Sequence, residues 1–443
     1  MNIQRLSTTF DVILHYRQEI DKLAGMYIMK LYSEVEKKKK IMTNQKCSKD
    51  LEQFTHNLSL QLKQFEKVVS NLKARLSSVY TLVLEDAIQY SEKVRKELLH
   101  ECKLFENFFQ AYVFRDDIIN VLKDDKVAII VAENSFCFNF ILPPLIRIAF
   151  PHKSVISCEN CDILKLRLSN WLSNFLSEKI GTDLFNERRM ATHISCLNEK
   201  QLLNYFVDSR FVVKQAFVIF NVPLVRSIES DLLLSYLRDM IVANEDSRLI
   251  LLISPYSDLK NYRNYFSKII QVVRVLKAPC ISYPVETVWK NNALTPLEDY
   301  VSHVVNTIMS ILALHNFGDI LAFLPDINDL KQASEMLKEQ LKKFLYNNVE
   351  YYLIHENAIY NLDCSISTNL KRKVFLSTEC SEAINFPSLR FVVDSGIRKH
   401  VFYDNLLKID VLKMTFISCW EAKLRKSLAG RFSNGICYRI YNL

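Results

Sequence analysis

Apolar and polar residues alternate in two different ways along this chain. From Gly25 to Pro143 there is no proline and no further glycine, and no strand-like run appears before Val127. The first hundred or so residues are therefore expected to be helical, because the two strongest helix breakers are missing. Within them Leu58, Leu62, Phe65, Val69, Leu72, Leu76, Val79 and Val83 recur at steps of four and three. That is a heptad seam over nearly four turns of the repeat. It predicts either a long helix packed on its own domain or a coiled coil with a second chain.

After that, short apolar runs take over: "VAIIVA" at 127–132, "SVISC" at 154–158, "AFVIF" at 216–220 and "LILLIS" at 249–254. The same rhythm returns with "DILAFL" at 319–324, "KVFLST" at 373–378, "LRFVVDSG" at 389–396, "TFIS" at 415–418 and "CYRIY" at 437–441. Helical stretches such as "DLLLSYLRDMI" at 231–241 separate them. Continuous apolar strands between helices describe parallel sheets covered on both faces. Two such sets, with a break near residues 287–300, predict two α/β domains in tandem.

A length of 443 residues agrees with two or three domains. No apolar run approaches the roughly 18 residues of a membrane span, and the amino terminus lacks the basic-then-apolar layout of a signal peptide. The expectation is an intracellular protein, in cytoplasm or nucleus, with no membrane partner. Eleven cysteines without paired spacings imply reduced thiols. Cys158 and Cys161 could join His152, His193 or Cys196 around zinc, but half-buried small residues flanking a strand are the plainer reading, and no metal is expected. The net charge of +8 is spread along the chain and permits an acidic partner such as RNA. The lysine run 37–40 reads as a solvated helix face, with a nucleic-acid or sorting role as the alternative.

Glycine changes the picture more. Six are present where about thirty would be average, so loops needing close approach to a ligand are scarce. The stretch "VAENSFCFNF" at 131–140 follows a strand and leads into an apolar segment, the usual seat of a bound phosphate. It lacks both the glycines and the lysine that a phosphate loop needs.

Three long stretches then carry a resemblance. They are "GDILAFLPDINDLKQASEMLKEQL" from Gly318, "VFLSTECSEAINFPSLRFVVDSGIRKHVFYD" from Val374 and "ISCWEAKLRKSLAGRFSNGICYRIY" from Ile417. In order and spacing they resemble the second RecA-like domain of DEAH-box RNA helicases. Upstream, "LLISPYSDLKNYRNYF" resembles the family's "SATLD" segment, with Ser254, Pro255 and Tyr256 in place of Ser-Ala-Thr, and "YPVETVW" at 283–289 resembles "FPVEIYY". "FVIFNVPLVRSIESDLLLSYLRDM" resembles the strand and helix carrying the DEAH box and keeps Arg226, Ser227 and Asp231. "FRDDIINVLKDDKVAIIVAENSFCFNFILPP" resembles the approach to the phosphate loop and keeps Glu133 and Pro143.

The resemblance implies an α/β fold of two tandem RecA-like parallel-sheet domains, at 106–290 and 291–443, preceded by a helical, partly coiled-coil region at 1–105. It also implies a damaged nucleotide site. The cradle glycines correspond to Ala132, Ser135 and Cys137, the lysine to Phe138 and the Mg²⁺ hydroxyl to Asn139. The DEAH box reads Asn221, Val222, Pro223, Leu224. In the arginine-finger motif Arg425 and Arg431 survive, while the glutamine is Leu424 and the middle arginine is Leu428.

Phosphoryl transfer needs a lysine cradle, metal ligands, a group that orients water and an arginine on the developing charge. No catalytic residue is therefore expected, and neither ATP nor Mg²⁺, the family's cofactors, is expected to bind. The family's "CTQPRR" corresponds to "CENCDI" at 158–163 and its "TDG" to Asn198, Glu199 and Lys200, so those RNA contacts are altered. Ser377 and Thr378 match hydroxyls that touch the RNA backbone, or else simply close a strand end.

The expected protein is a pseudo-helicase acting as a binding or scaffold module, with weak RNA contact and protein partners or self-association through the amino-terminal helices. The alternatives are a divergent ATP-dependent RNA helicase, or a fragment of a longer protein whose winged-helix, ratchet and OB-fold domains lie beyond Leu443.

Overall fold

The computed structural model describes residues 111–441, except 113, 133–134, 183–192, 209–215, 225, 256, 279–282, 284, 290–298, 347, 356–370, 379–385, 387 and 432. Before residue 111 it describes only scattered positions. Most of the expected heptad seam and the lysine run lie outside the described residues. Val69 is described: it is helical, buried and part of the same apolar cluster as the first sheet. Two residues on, Asn71 donates from Nδ2 to Asp116 Oδ2 at 3.2 Å. At this point the amino-terminal region packs on its own body.

The first domain begins with α1 (Arg115–Asp124), β1 (Val127–Ala132), α2 (Ser135–Ala149), β2 (Ser154–Glu159), α3 (Asp162–Leu176) and β3 (Ile194–Asn198). It continues with α4 (Glu199–Asp208), β4 (Ala216–Asn221), α5 (Ile228–Ala243), β5 (Arg248–Ile253), α6 (Leu259–Ser267) and β6 (Val273–Ala278). The strands form one parallel sheet in the order β3-β2-β4-β5-β1-β6. Side chains alternate between its faces, as the pleat demands. Ala128, Ile130, Phe217, Ile219 and Ile250 meet α2 and α3 on one side. Val127, Ile129, Val218, Phe220 and Leu251 meet Leu202, Leu233, Leu237 and Phe266 of α4, α5 and α6 on the other. With both faces covered, the central strands have no polar side to show.

The second sheet is also parallel, ordered β7-β14-β11-β8-β10-β9. It comprises β7 (Val285–Trp289), β8 (Asp319–Phe323), β9 (Val349–Ile354), β10 (Arg372–Ser377), β11 (Leu389–Asp394) and β14 (Gly435–Arg439). The helices α7 (Tyr300–Leu314) and α8 (Ile327–Lys343) cover one face. Leu321, Phe323, Phe375 and Val392 on the other face join Leu428 and Ala429 in a cluster continuous with the first domain. Because β7 pairs with β14, the segment 285–289 belongs to the second sheet, whereas a division at 290/291 leaves it with the first.

One expectation needs correcting. "TFIS" belongs to neither parallel sheet; its first two residues end a strand of a separate antiparallel pair. Residues 397–416 form an antiparallel hairpin of β12 (Ile397–Asp404) and β13 (Ile409–Phe416), paired only with each other. Ser418 then caps the helix α9 (Cys419–Ser427) in a reciprocal capping box with Glu421. No described helix is long and apolar enough to cross a membrane.

Candidate nucleotide site

The ends of β1 and β4, with β5 between them, and the start of α2 carry the positions expected for the phosphate loop and the DEAH box. Ala132 closes β1 and is buried. Phe138, at the lysine position, is only 4% exposed and faces Phe114 with ring centroids 6.1 Å apart. Phe140 packs on Phe108 and Trp171. Asn139 is buried too, and its Oδ1 has no hydrogen-bond partner. Pro143 and Pro144 lie inside α2, which therefore forms without two of its N–H donors.

At the box, Val222 is buried and Asn221 donates from Nδ2 to Glu159 Oε2 at 3.2 Å. Glu159 ends β2 and has no exposed surface. Its other oxygen accepts from Ser157 Oγ at 2.6 Å. Burial pushes its carboxyl up to about 7, while the two hydrogen bonds pull the other way. A carboxyl thus stands beside the position that lost one, but neutral donors hold it inside the core. Glu199, at the start of α4, is likewise pushed up to about 7, chiefly by burial; Ser227 opposes this and Glu229 adds to it.

In the finger motif, Arg425 is fully committed. Its Nη1 meets Asp394 Oδ1 at 2.8 Å, its Nη2 reaches the Ile397 carbonyl, and its guanidinium lies 4.7 Å from the centre of the Phe323 ring. Asp394 has no exposed surface and also accepts from Gly396 N and from the Tyr441 hydroxyl. Arg425 is therefore a strut of the second domain. Leu428 is buried in the cluster that also holds Phe138. Arg431 reaches across to the first domain: its charge opposes the burial that pushes the Cys137 thiol up to about 11.

Ser377 is fully buried and donates to the Thr378 carbonyl at 2.9 Å, while Thr378 N bonds Ile354 O. The Ser377 hydroxyl closes a strand end and is sealed from any RNA. Cys158 and Cys196 sit on opposite faces of the first sheet and cannot share a metal. All six described cysteines are free thiols. Among the described residues, the lysine position holds Phe138 and the carboxyl beside the former box, Glu159, is enclosed, a set that does not fit ATP with Mg²⁺.

No protein-family model matches the chain. It is 22% identical over 382 residues to the ATP-dependent RNA helicase DEAH12, chloroplastic, of Arabidopsis thaliana, covering 82% of this chain and 21% of that one. It is 24% identical over 340 residues to the ATP-dependent RNA helicase HrpA of Borreliella burgdorferi, covering 74% and 41%. The crystal structure of the E. coli DExH-box NTPase HrpB superposes with a TM-score of 0.62 at 18% identity, over 76% of this chain and 42% of that one. The chain is related to the DEAH-box RNA helicases. It spans only about a fifth to two fifths of these relatives' lengths.

In this DEAH-box relative, the site residues named from the sequence did not include Glu159. The signal was available: "SVISCE" is an apolar strand that ends on a single carboxylate. A charge at the end of a buried strand needs a partner, and Asn221 on the neighbouring strand provides one.

Proposed function

We propose that the chain is a helicase-like pseudoenzyme: a DEAH-type body, its first domain beginning near residue 106 and its second at β7, that binds partners without hydrolysing ATP. The observation that carries this reading is Phe138, a ring packed on Phe114 where a phosphate-binding lysine is required. A triphosphate beside that ring loses its water and gains no donor, at a cost of several kcal/mol. The missing box carboxylates and the commitment of Arg425 to Asp394 support the same reading.

RNA association rests on the relatives and on the net positive charge; the sealed Ser377 hydroxyl gives it no support. The amino-terminal helices are the proposed arm toward protein partners or a second copy. A thermal melt tests the reading, since a ligand at a hundredfold its Kd stabilises by about 2.7 kcal/mol. No shift is expected with ATP and Mg²⁺, and no phosphate release with RNA. RNA-dependent ATP consumption by the purified chain would favour the second reading, a divergent helicase, for which Arg431 beside Cys137 is the supporting observation.

A further inference from the structure

The hairpin of β12 and β13 holds apolar side chains in water. Its root is fixed to the second domain, where Arg398 pairs with Glu421 at 2.8 Å and Lys399 with Asp326. Beyond that root Val401, Phe402 and Tyr403 on β12 are 54%, 41% and 57% exposed. Among the described residues the two strands pair only with each other, so each has an open edge. An exposed apolar edge is a template for another strand.

The pleat sorts β12 into two faces, with His400, Phe402 and Asp404 on one and Val401 and Tyr403 on the other. The His400 ring stands edge-on to Phe402, with centroids 4.9 Å apart. Asp404 uses Oδ1 for the amides of Leu406 and Leu407, so Oδ2 lies outside these turn bonds. Laid antiparallel on a copy of itself about a two-fold axis at Phe402, the stretch "HVFYD" at 400–404 is self-complementary. Phe402 meets the partner's Phe402, Val401 meets the partner's Tyr403, and His400 can donate to the partner's Asp404. Within the hairpin Val411 stands opposite Phe402, so an apolar row crosses all four strands. Other registers fit worse. Centred on Val401, His400 meets a phenylalanine, and Asp404 meets an Arg398 already committed to Glu421. The β13 edge centred on Val411 sets Ile409 against Lys413, and centred on Leu412 it sets Asp410 against Met414.

We propose that β12 pairs with β12 of a second copy of this chain, antiparallel and centred on Phe402, closing two hairpins into one four-stranded sheet. Aromatic and β-branched cross-strand pairs and opposite charges are the contacts that stabilise such a sheet. Each copy presents the same patch, so assembly stops at a dimer. The inference is independent of the loss of ATPase and of the amino-terminal helices.

Sedimentation velocity of the intact chain should show a concentration-dependent dimer below about 100 μM. Phe402→Lys changes an exposed side chain and sets two like charges opposite each other, so it should weaken the dimer by about tenfold or more. Cysteine cross-linking under mild oxidation then reads the register, with the wild type as control for the chain's own thiols, the exposed Cys419 included. Directly opposed residues have Cα atoms about 4.5–5.5 Å apart, within the span of a disulfide. Phe402→Cys should therefore cross-link to itself. Val401→Cys and Tyr403→Cys should each cross-link about tenfold more slowly alone than when mixed. A chain that stays monomeric at about 100 μM overturns the proposal, as does a Phe402→Lys variant that dimerises like the wild type. So does a Val401→Cys or Tyr403→Cys chain that cross-links alone as fast as the mixture.

Discussion

Replacing Glu159 with glutamine tests how a carboxyl behaves when it is locked in the core beside the former DEAH box. The group has no exposed surface, and its folded value of about 7 stands against an ordinary 4.5. A tenfold change in proton affinity corresponds to about 1.4 kcal/mol, so the ionised form costs the native state about 3 kcal/mol. The native carboxyl holds its proton more tightly than the unfolded one does. Its stabilising effect is therefore complete below pH 4.5 and is lost as pH rises through 7.

Glutamine removes that dependence. Ser157 can still donate to its oxygen, and Asn221 has only to turn its amide over to accept from the new NH₂ group. Urea unfolding of both proteins at several pH values between 5 and 8 is the assay. The wild type should lose stability across that window, while the variant loses much less and is the more stable of the two at pH 8. Glu199 shifts in the same direction, so a Glu199→Gln background isolates the effect of Glu159. Identical pH slopes with and without Glu159 would refute the reasoning, as would a variant weaker than wild type at pH 8.

Three further substitutions probe the second domain and the phosphate-loop position. Gly396→Ala adds a Cβ that meets the Tyr441 ring at 2.3 Å, on a backbone at φ +75°; a loss of about 2 kcal/mol or more is expected in a thermal melt, and an unchanged midpoint counts against this packing. Arg425→Met leaves Asp394 charged and buried without its partner. That should cost about 3–5 kcal/mol, and a variant as stable as wild type would mean that Arg425 is no strut. Phe138→Lys should destabilise by several kcal/mol and give no ATP turnover, because Asn221 still provides no carboxylate; measurable turnover would place the metal elsewhere.

What the sequence made legible follows from burial. Its continuous apolar runs are central strands such as β1, β4, β5, β8 and β11, covered on both faces. The strands that went unseen in the residue pattern are edges. In the sheet orders β3 and β6 end the first sheet, and β7 and β9 end the second. The last three are half-exposed and carry Arg274, Glu286 and Glu350. An edge strand has water on one side, so it can hold charge and no longer reads as core. The hairpin escaped for a related reason: it is solvated along most of its length, and its turn is signalled only by Asp404, whose carboxylate accepts from Leu406 N and Leu407 N.

The candidate site shows the opposite limit. Motif positions nominate residues that differ from the family's, but do not say what the survivors do. Arg425 looks like a finger until Asp394, 31 residues away in sequence, proves to be its partner. The lost positions are also coupled. Phe138, Val222 and Leu428 are all buried, so a lysine, a carboxylate or an arginine restored singly would be a charge in the core without its counter-charge or metal. Each reversion is opposed until the others are present. On the proposed reading, a site emptied in this way is stabilised against return one residue at a time.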